Sequence, residues 1–270
     1  MSTDGVWVLG GHQTDFARNV TKDGAGPHGL VGEVVRATLD DASVGADRVD
    51  VVHVGNAFGE LMTGQGHWAA MPATVEDALW GVPATRHEGA CASGSLAVLA
   101  AMADLQSGRY DVALVLGVEV ERSQPGDAAS VAMGAASWVG HEGEPRYVWP
   151  AAFSDLAEEY HRRFGLDPAH LNALSEQAFA NARDNPLAQT REWRFADASF
   201  TDDDDANPIV DGWTRRNGCS QVTDGAAGVV LVSDRAVRND PALLRREHAA
   251  RIVGWGHRTV GLPLAAKLER

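Results

Sequence analysis

The chain has 270 residues, with 37 acidic against 23 basic side chains and a formal net charge of −14 at pH 7. That balance argues against a nucleic-acid or anionic-membrane binder, whose affinity comes from clustered Lys and Arg. Hydrophobic residues make up 44% and charged ones 22%, too apolar for disorder, and the length suits one large domain or two modest ones. Val6–Leu9 is a short apolar run ending in Gly10-Gly11 and reads as a buried strand. Leu30, Val31, Val34, Val35 and Leu39 fall at helical spacing, which predicts a helix over 29–42 with one buried stripe. A strand follows at 49–54, then a mixed stretch, 61–79, in which Pro72 interrupts any single helix. Residues 83–90 read as an extended approach to Cys91, 92–106 as a helix closed by Gly108, and 111–120 (DVALVLGVEV) as a strand buried on both faces.

From about Glu121 to Arg216 strand signals thin out. Asp167-Pro168 supplies an N-cap and a proline at the first helical position, and Asn185-Pro186 stops that helix. Strand character returns at 227–233 and at 251–256. Alternating strands and helices predict an α/β layered sheet carrying a helical insertion. The helix after Cys91 is apolar on every side from Leu96 to Ala103, so it calls for cover all round, by a second sheet as well as the first.

Two cysteines, Cys91 and Cys219, cannot make a disulfide framework and fit a reducing compartment. The N-terminus lacks a basic-then-apolar secretory pattern, and no run approaches 18 apolar residues, so a soluble, cytoplasmic protein is expected. Several patterns are set aside. Gly24-Ala-Gly26-Pro-His-Gly29 fits G-x-G-x-x-G, but it follows no strand, and Pro27 is expected to spoil a helix start. His87-Glu88-x-x-Cys91 lies on an extended segment, where helical zinc-ligand spacing fails, so His87 is expected to be a packing or dimer-contact residue. Asp202–Asp205 lacks the glycine and distal glutamate of a calcium loop and reads as a solvated turn; the eight tryptophans, without periodicity, read as packing.

Cys91 is the chemical focus. It stands at a strand-to-helix junction, where free N–H groups and the helix dipole favour thiolate, with Gly89 and Gly94 leaving room for a ligand. The segment GACASGSLAVLAAMADLQSGRYDVALVLGVEV resembles the nucleophile region of thiolases, the acetyl-CoA acetyltransferase family. VWVLGGHQTDFAR, LSEQAFANARDNPLAQ and CSQVTDGAAGVVLVSD resemble that family's opening strand, loop-domain helix and return strand, in the same order. The texture is nearest to bacterial, archaeal and sterol-carrier-associated thiolases.

The resemblance implies a layered αβα sheet domain with a helical loop domain. Residues 1–120 would begin the N-terminal sheet domain, 121–216 form the CoA-binding insertion, 217–240 return to the sheet, and 241–270 open a second domain. It implies acyl transfer through an S-acyl Cys91, by thiolytic cleavage of 3-ketoacyl-CoA or by Claisen condensation. Ser220 would contact the pantetheine arm, and Arg215 and Arg216 the CoA phosphates. CoA is then a substrate, and no metal or redox cofactor is implied. The family's general-base His in Gly-His-Pro, its oxyanion motif and its Cys-x-Gly are not found; His248, His257 and Cys219 do not replace them. The C-terminal half of the αβαβα fold therefore reads as missing, and the lone chain is expected to turn over little. The resemblance also implies a homo-oligomer, built partly on the strand before Cys91, or pairing with a separate C-terminal half. A ketoacyl-synthase-like enzyme, a thiolase-related lyase and a non-catalytic half-thiolase assembly subunit are the alternatives.

Overall fold

The computed structural model describes residues 5–140, 145–244 and 249–269; His248 lies outside them. Nine helices and eight strands alternate within these residues. The first part runs β1 (Val6–Gln13), α1 (Gly26–Ala42), β2 (Val51–Gly55), α2 (Gly59–Thr63), α3 (Met71–Val75), β3 (Ala84–His87), α4 (Ser93–Gln106) and β4 (Val112–Val120). The remainder is α5 (Gly126–Met133), α6 (Val148–Phe164), α7 (Pro168–Asp184), β5 (Ile209–Asp211), β6 (Thr214–Arg215), β7 (Asp224–Ser233), α8 (Asp234–Asn239), β8 (Ala250–Ile252) and α9 (Leu264–Leu268). They form two compact units: residues 5–14, 18–123 and 224–257, and residues 15–17, 124–223 and 258–269.

The first unit is a six-stranded sheet in the order β3-β2-β4-β7-β1-β8. β3, β2 and β4 are parallel, whereas β7 is antiparallel to β4 and to β1, and β8 is antiparallel to β1. The two-residue period of a strand divides the side chains of β4 between two cores. Val112, Leu114, Leu116, Val118 and Val120 meet Leu30, Val31, Val34, Val35 and Leu39 of α1. Ala113 and Val115 meet Ala97, Ala101, Met102 and Leu105 of α4. The sheet thus lies between α1 and α4, the layered α/β arrangement that the alternating pattern predicts. Alternation along β1 places Leu9 on the α1 side and Val6 on the α4 side, and the pairing register with β7 shifts between Val8 and Gly10.

Helix α4 is covered on one side only. Ser93, Ala97, Ala101, Met102 and Leu105 are buried, while Leu96, Val98, Leu99 and Ala100 are half-buried. Its outer face stays apolar without a second sheet among the described residues.

Several expectations change. Pro27 does not spoil a helix start: α1 begins at Gly26 with Pro27 in its first turn, where a missing N–H costs nothing and the fixed φ favours the helix. Strand pairing at the far edge ends at Ile252, so the strand predicted to Gly256 is three residues long; Val253 and Trp255 beyond it are exposed. Packing also fails as a uniform account of the tryptophans: Trp68 is fully buried, but Trp80 is 73% exposed.

In the second unit, α7 starts as expected. The Asp167 carboxylate accepts the N–H of Ala169 at 3.0 Å, and Pro168 fills the first turn. Asp167→Ala is expected to lower the stability of this unit by about 1 kcal/mol, read by chemical denaturation. The aromatic rings of Phe179, Trp193, Phe195 and Phe200 stack and tilt into a cluster with centroids 4.5–6.4 Å apart. A hairpin of β5 and β6 is tied to α6, since Ser154 Oγ accepts Trp213 N–H at 2.9 Å and Thr214 Oγ1 donates to the Pro150 carbonyl at 2.9 Å. Among the described residues no helix is long and apolar enough to cross a membrane.

Candidate active site

Because β2, β3 and β4 are parallel, their C-terminal ends share one edge of the sheet, the edge where α/β folds gather ligands. Cys91 is at this edge, in a 3₁₀ turn (Ala90–Ala92) between β3 and α4, and its side chain is exposed. The preceding Ala90 has φ +50°, a left-handed conformation that costs an alanine about 1 kcal/mol. Local hydrogen bonds hold it there. Glu88 Oε1 accepts the Ala90 N–H at 2.7 Å, and Ser93 Oγ donates to the Ala90 carbonyl at 2.6 Å while accepting the Gly89 N–H at 3.0 Å. The turn presents the thiol outward at the N-terminal end of a fourteen-residue helix.

The floor beneath this turn is the segment leaving β2. Gly55 abuts the backbone of Ser93 and Gly94 so closely that a Cβ would stand 2.7 Å from Gly94 N, so only glycine fits. Asn56 N–H donates to the His87 carbonyl at 3.1 Å, and Arg86 donates to the carbonyls of Asn56 and Ala57, both at 3.1 Å. From β4, Glu119 accepts the N–H of Ala57 and, at 3.3 Å, that of Phe58. Burial pushes this carboxyl up to about 7, against the pull of those two N–H groups and of Arg86. The sequence reading passed over Glu119, although a carboxylate in a strand buried on both faces was the available signal.

His87 faces a ring. Its Nε2 lies 2.9 Å from His53 Nδ1, and His53 Nε2 lies 3.3 Å from Asp104 on α4. Burial lowers the pKa of both imidazoles, and His53 is lowered further by His87. The packing role expected of His87 matches this contact, and no group of three or more His, Cys, Asp or Glu among the described residues is arranged to hold a metal ion.

The other candidates lie in the second unit. Ser220 is exposed in the loop before β7. Arg216 is exposed, and donates to the Ala206 carbonyl at 3.1 Å. Arg215 is more enclosed: it meets Asp204 at 2.8 Å and Asp202 at 3.5 Å, and donates to the Asn207 carbonyl at 2.7 Å. Asp202 and Asp204 are therefore ion-paired rather than merely solvated. Arg215 also borders a cavity of about 470 Å³ lined by Ser154, Asp155, Glu158, Asp202, Asp211 and Trp213. Carboxylates dominate this lining, which disfavours a phosphate inside it. Cys219 is half-buried, burial pushes its thiol up, and its Sγ donates to the Arg215 carbonyl at 3.4 Å.

The domain described as "Thiolase, N-terminal domain" matches residues 6–188. The chain belongs to the thiolase family. It is 32% identical over 202 residues to an acetyl-CoA acetyltransferase of Methanocaldococcus jannaschii, which covers 75% of this chain and 50% of that protein. Sterol carrier protein 2 of Oryctolagus cuniculus is 23% identical over 244 residues, covering 86% of this chain and 42% of that one. Among solved structures, human mitochondrial 3-ketoacyl-CoA thiolase in complex with CoA superposes with a TM-score of 0.64 at 17% identity, over 88% of this chain and 67% of that one. The fold is thus the thiolase α/β fold, and the chain spans about half the length of the curated relatives it matches. Cys91 and Glu119 fall within the matched thiolase region, whereas Arg215, Arg216 and Ser220 lie beyond it.

Proposed function

We propose that this chain carries the nucleophile of a thiolase acyltransferase, with Cys91 as the residue that becomes S-acylated. The observation behind this is the exposed thiol, set on a left-handed turn at the N-terminal end of α4 within a thiolase N-terminal domain. In the forward step the Cys91 thiolate attacks the carbonyl of an acyl-CoA or the keto carbon of a 3-ketoacyl-CoA. CoA thiolate leaves in the first case and the acyl-CoA carbanion, to be protonated, in the second. Backbone N–H groups of the turn would stabilise the tetrahedral oxyanion. The second substrate, CoA in thiolysis or an acyl-CoA carbanion in Claisen condensation, then takes the acyl group from sulfur.

Ser220 and Arg216 are proposed to meet the pantetheine arm and a phosphate of CoA. Arg215 would do so only by giving up Asp204, because its guanidinium already carries that carboxylate. CoA enters as substrate, and no resident metal or redox cofactor is assigned. Membership of the family suggests a homo-oligomer, and the two free cysteines suit a reducing compartment such as the cytoplasm.

The test is intact-mass analysis of the full chain after incubation with acetyl-CoA or acetoacetyl-CoA. One acetyl group on the peptide containing Cys91 is the expected result. Cleavage of a 3-hydroxyacyl-CoA without any adduct would replace this reading with the lyase, and neither adduct nor CoA binding would leave the assembly subunit.

A further inference from the structure

We propose that Glu119 is a positioning residue for the Cys91 nucleophile, clamping the 55–58 segment on which the Cys91 turn rests. The inference depends on the proposed role of Cys91 and extends it to a residue on β4. Glu119 lies near the end of β4, two positions past Gly117, which pairs with Gly55 of β2. Strand alternation puts Glu119 on the same face as Ala113 and Val115, the face covered by α4.

From there its carboxylate takes the N–H groups of Ala57 and Phe58, the two residues that turn the chain out of β2. The clamped segment touches the Cys91 turn on both flanks. Gly55 backs onto the first turn of α4, and Asn56 N–H holds the His87 carbonyl at the end of β3. A shift of residues 55–58 therefore moves the two supports of Cys91 together.

Two charged groups act on this carboxylate. Arg86, from β3, attracts it and is itself paired with Glu60 of α2 at 3.5 Å; Glu121, just beyond β4, repels it. The ionised form accepts both N–H groups with full charge, whereas the protonated form turns one oxygen into a donor and loosens the clamp. With a carboxyl that ionises at about 7, clamping is greatest above neutrality.

The experiment measures iodoacetamide alkylation of Cys91 in the full chain between pH 5.5 and 9, resolved by peptide mass from Cys219. Wild type, Glu119→Gln and Val35→Ala are compared. Val35 is buried on the α1 side of the sheet, so its truncation weakens the fold without touching the clamp. The expected wild-type profile has a break near pH 7 besides the titration of the thiol. Glu119→Gln removes the break and slows alkylation at pH 8 about tenfold, while Val35→Ala keeps the wild-type profile. An unchanged profile in Glu119→Gln, or the same loss in Val35→Ala, overturns the proposal. Should Glu119→Gln not fold, a wild-type profile without the break overturns it equally. Alkylation needs no CoA: normal alkylation with no acyl adduct would sink the assigned function while leaving the clamp to be judged on its own profile.

Discussion

Cys91→Ser is expected to abolish acyl adduct formation, lowering the rate of acyl capture by at least about 10³-fold, with no comparable loss in Cys219→Ser. The replacement is nearly isosteric and the side chain is exposed, so stability should stay within about 0.5 kcal/mol of wild type. What changes is the chemistry: a serine hydroxyl without a base does not ionise near neutrality, and a helix dipole is too weak to make it do so. Cys219 serves as an internal comparison. It is half-buried, burial disfavours its thiolate, and its sulfur already engages the Arg215 carbonyl. Intact-mass analysis of both variants after exposure to acetyl-CoA checks the expectation. Label remaining in Cys91→Ser, or lost in Cys219→Ser, would move the nucleophile elsewhere.

Much of the framework was legible in the sequence because its signals are local. The stripe from Leu30 to Leu39, the apolar run over 112–120 and the Asp167-Pro168 cap depend on neighbours within a turn or a strand, and each forms as expected. The all-apolar helix after Cys91 was legible too, down to the outer face that the sheet leaves without cover. Other features depend on partners far away in the chain. Ala90 carries no glycine to advertise a left-handed turn; Glu88 and Ser93 impose that conformation. The Asp202–Asp205 run resembles a solvated turn until the hairpin brings Arg215 against it. Position 119 shows one charged letter in an apolar strand, and only the pairing of β2 with β4 reveals which N–H groups it meets.

The second large effect is on stability, and its sign follows from that carboxyl. A glutamate free in solution ionises near 4.5, and burial pushes Glu119 up to about 7, so between those values the folded chain holds a proton that the unfolded chain has released. Stability from this group is therefore complete below about pH 4.5, falls as pH rises and is fully lost above about 7. A glutamine in its place would not titrate. The stability of Glu119→Gln relative to wild type should thus rise by about 2–3 kcal/mol between pH 5 and pH 8, measured by urea denaturation at both values. A difference that stays constant across that range would mean that the carboxyl is not held against ionisation. A rise, together with slower alkylation of Cys91 at pH 8, would show that ionising this carboxyl costs the fold while it serves the nucleophile. Stability and positioning then pull in opposite directions at a single residue, as expected where a buried charge is kept for its hydrogen bonds to a functional loop.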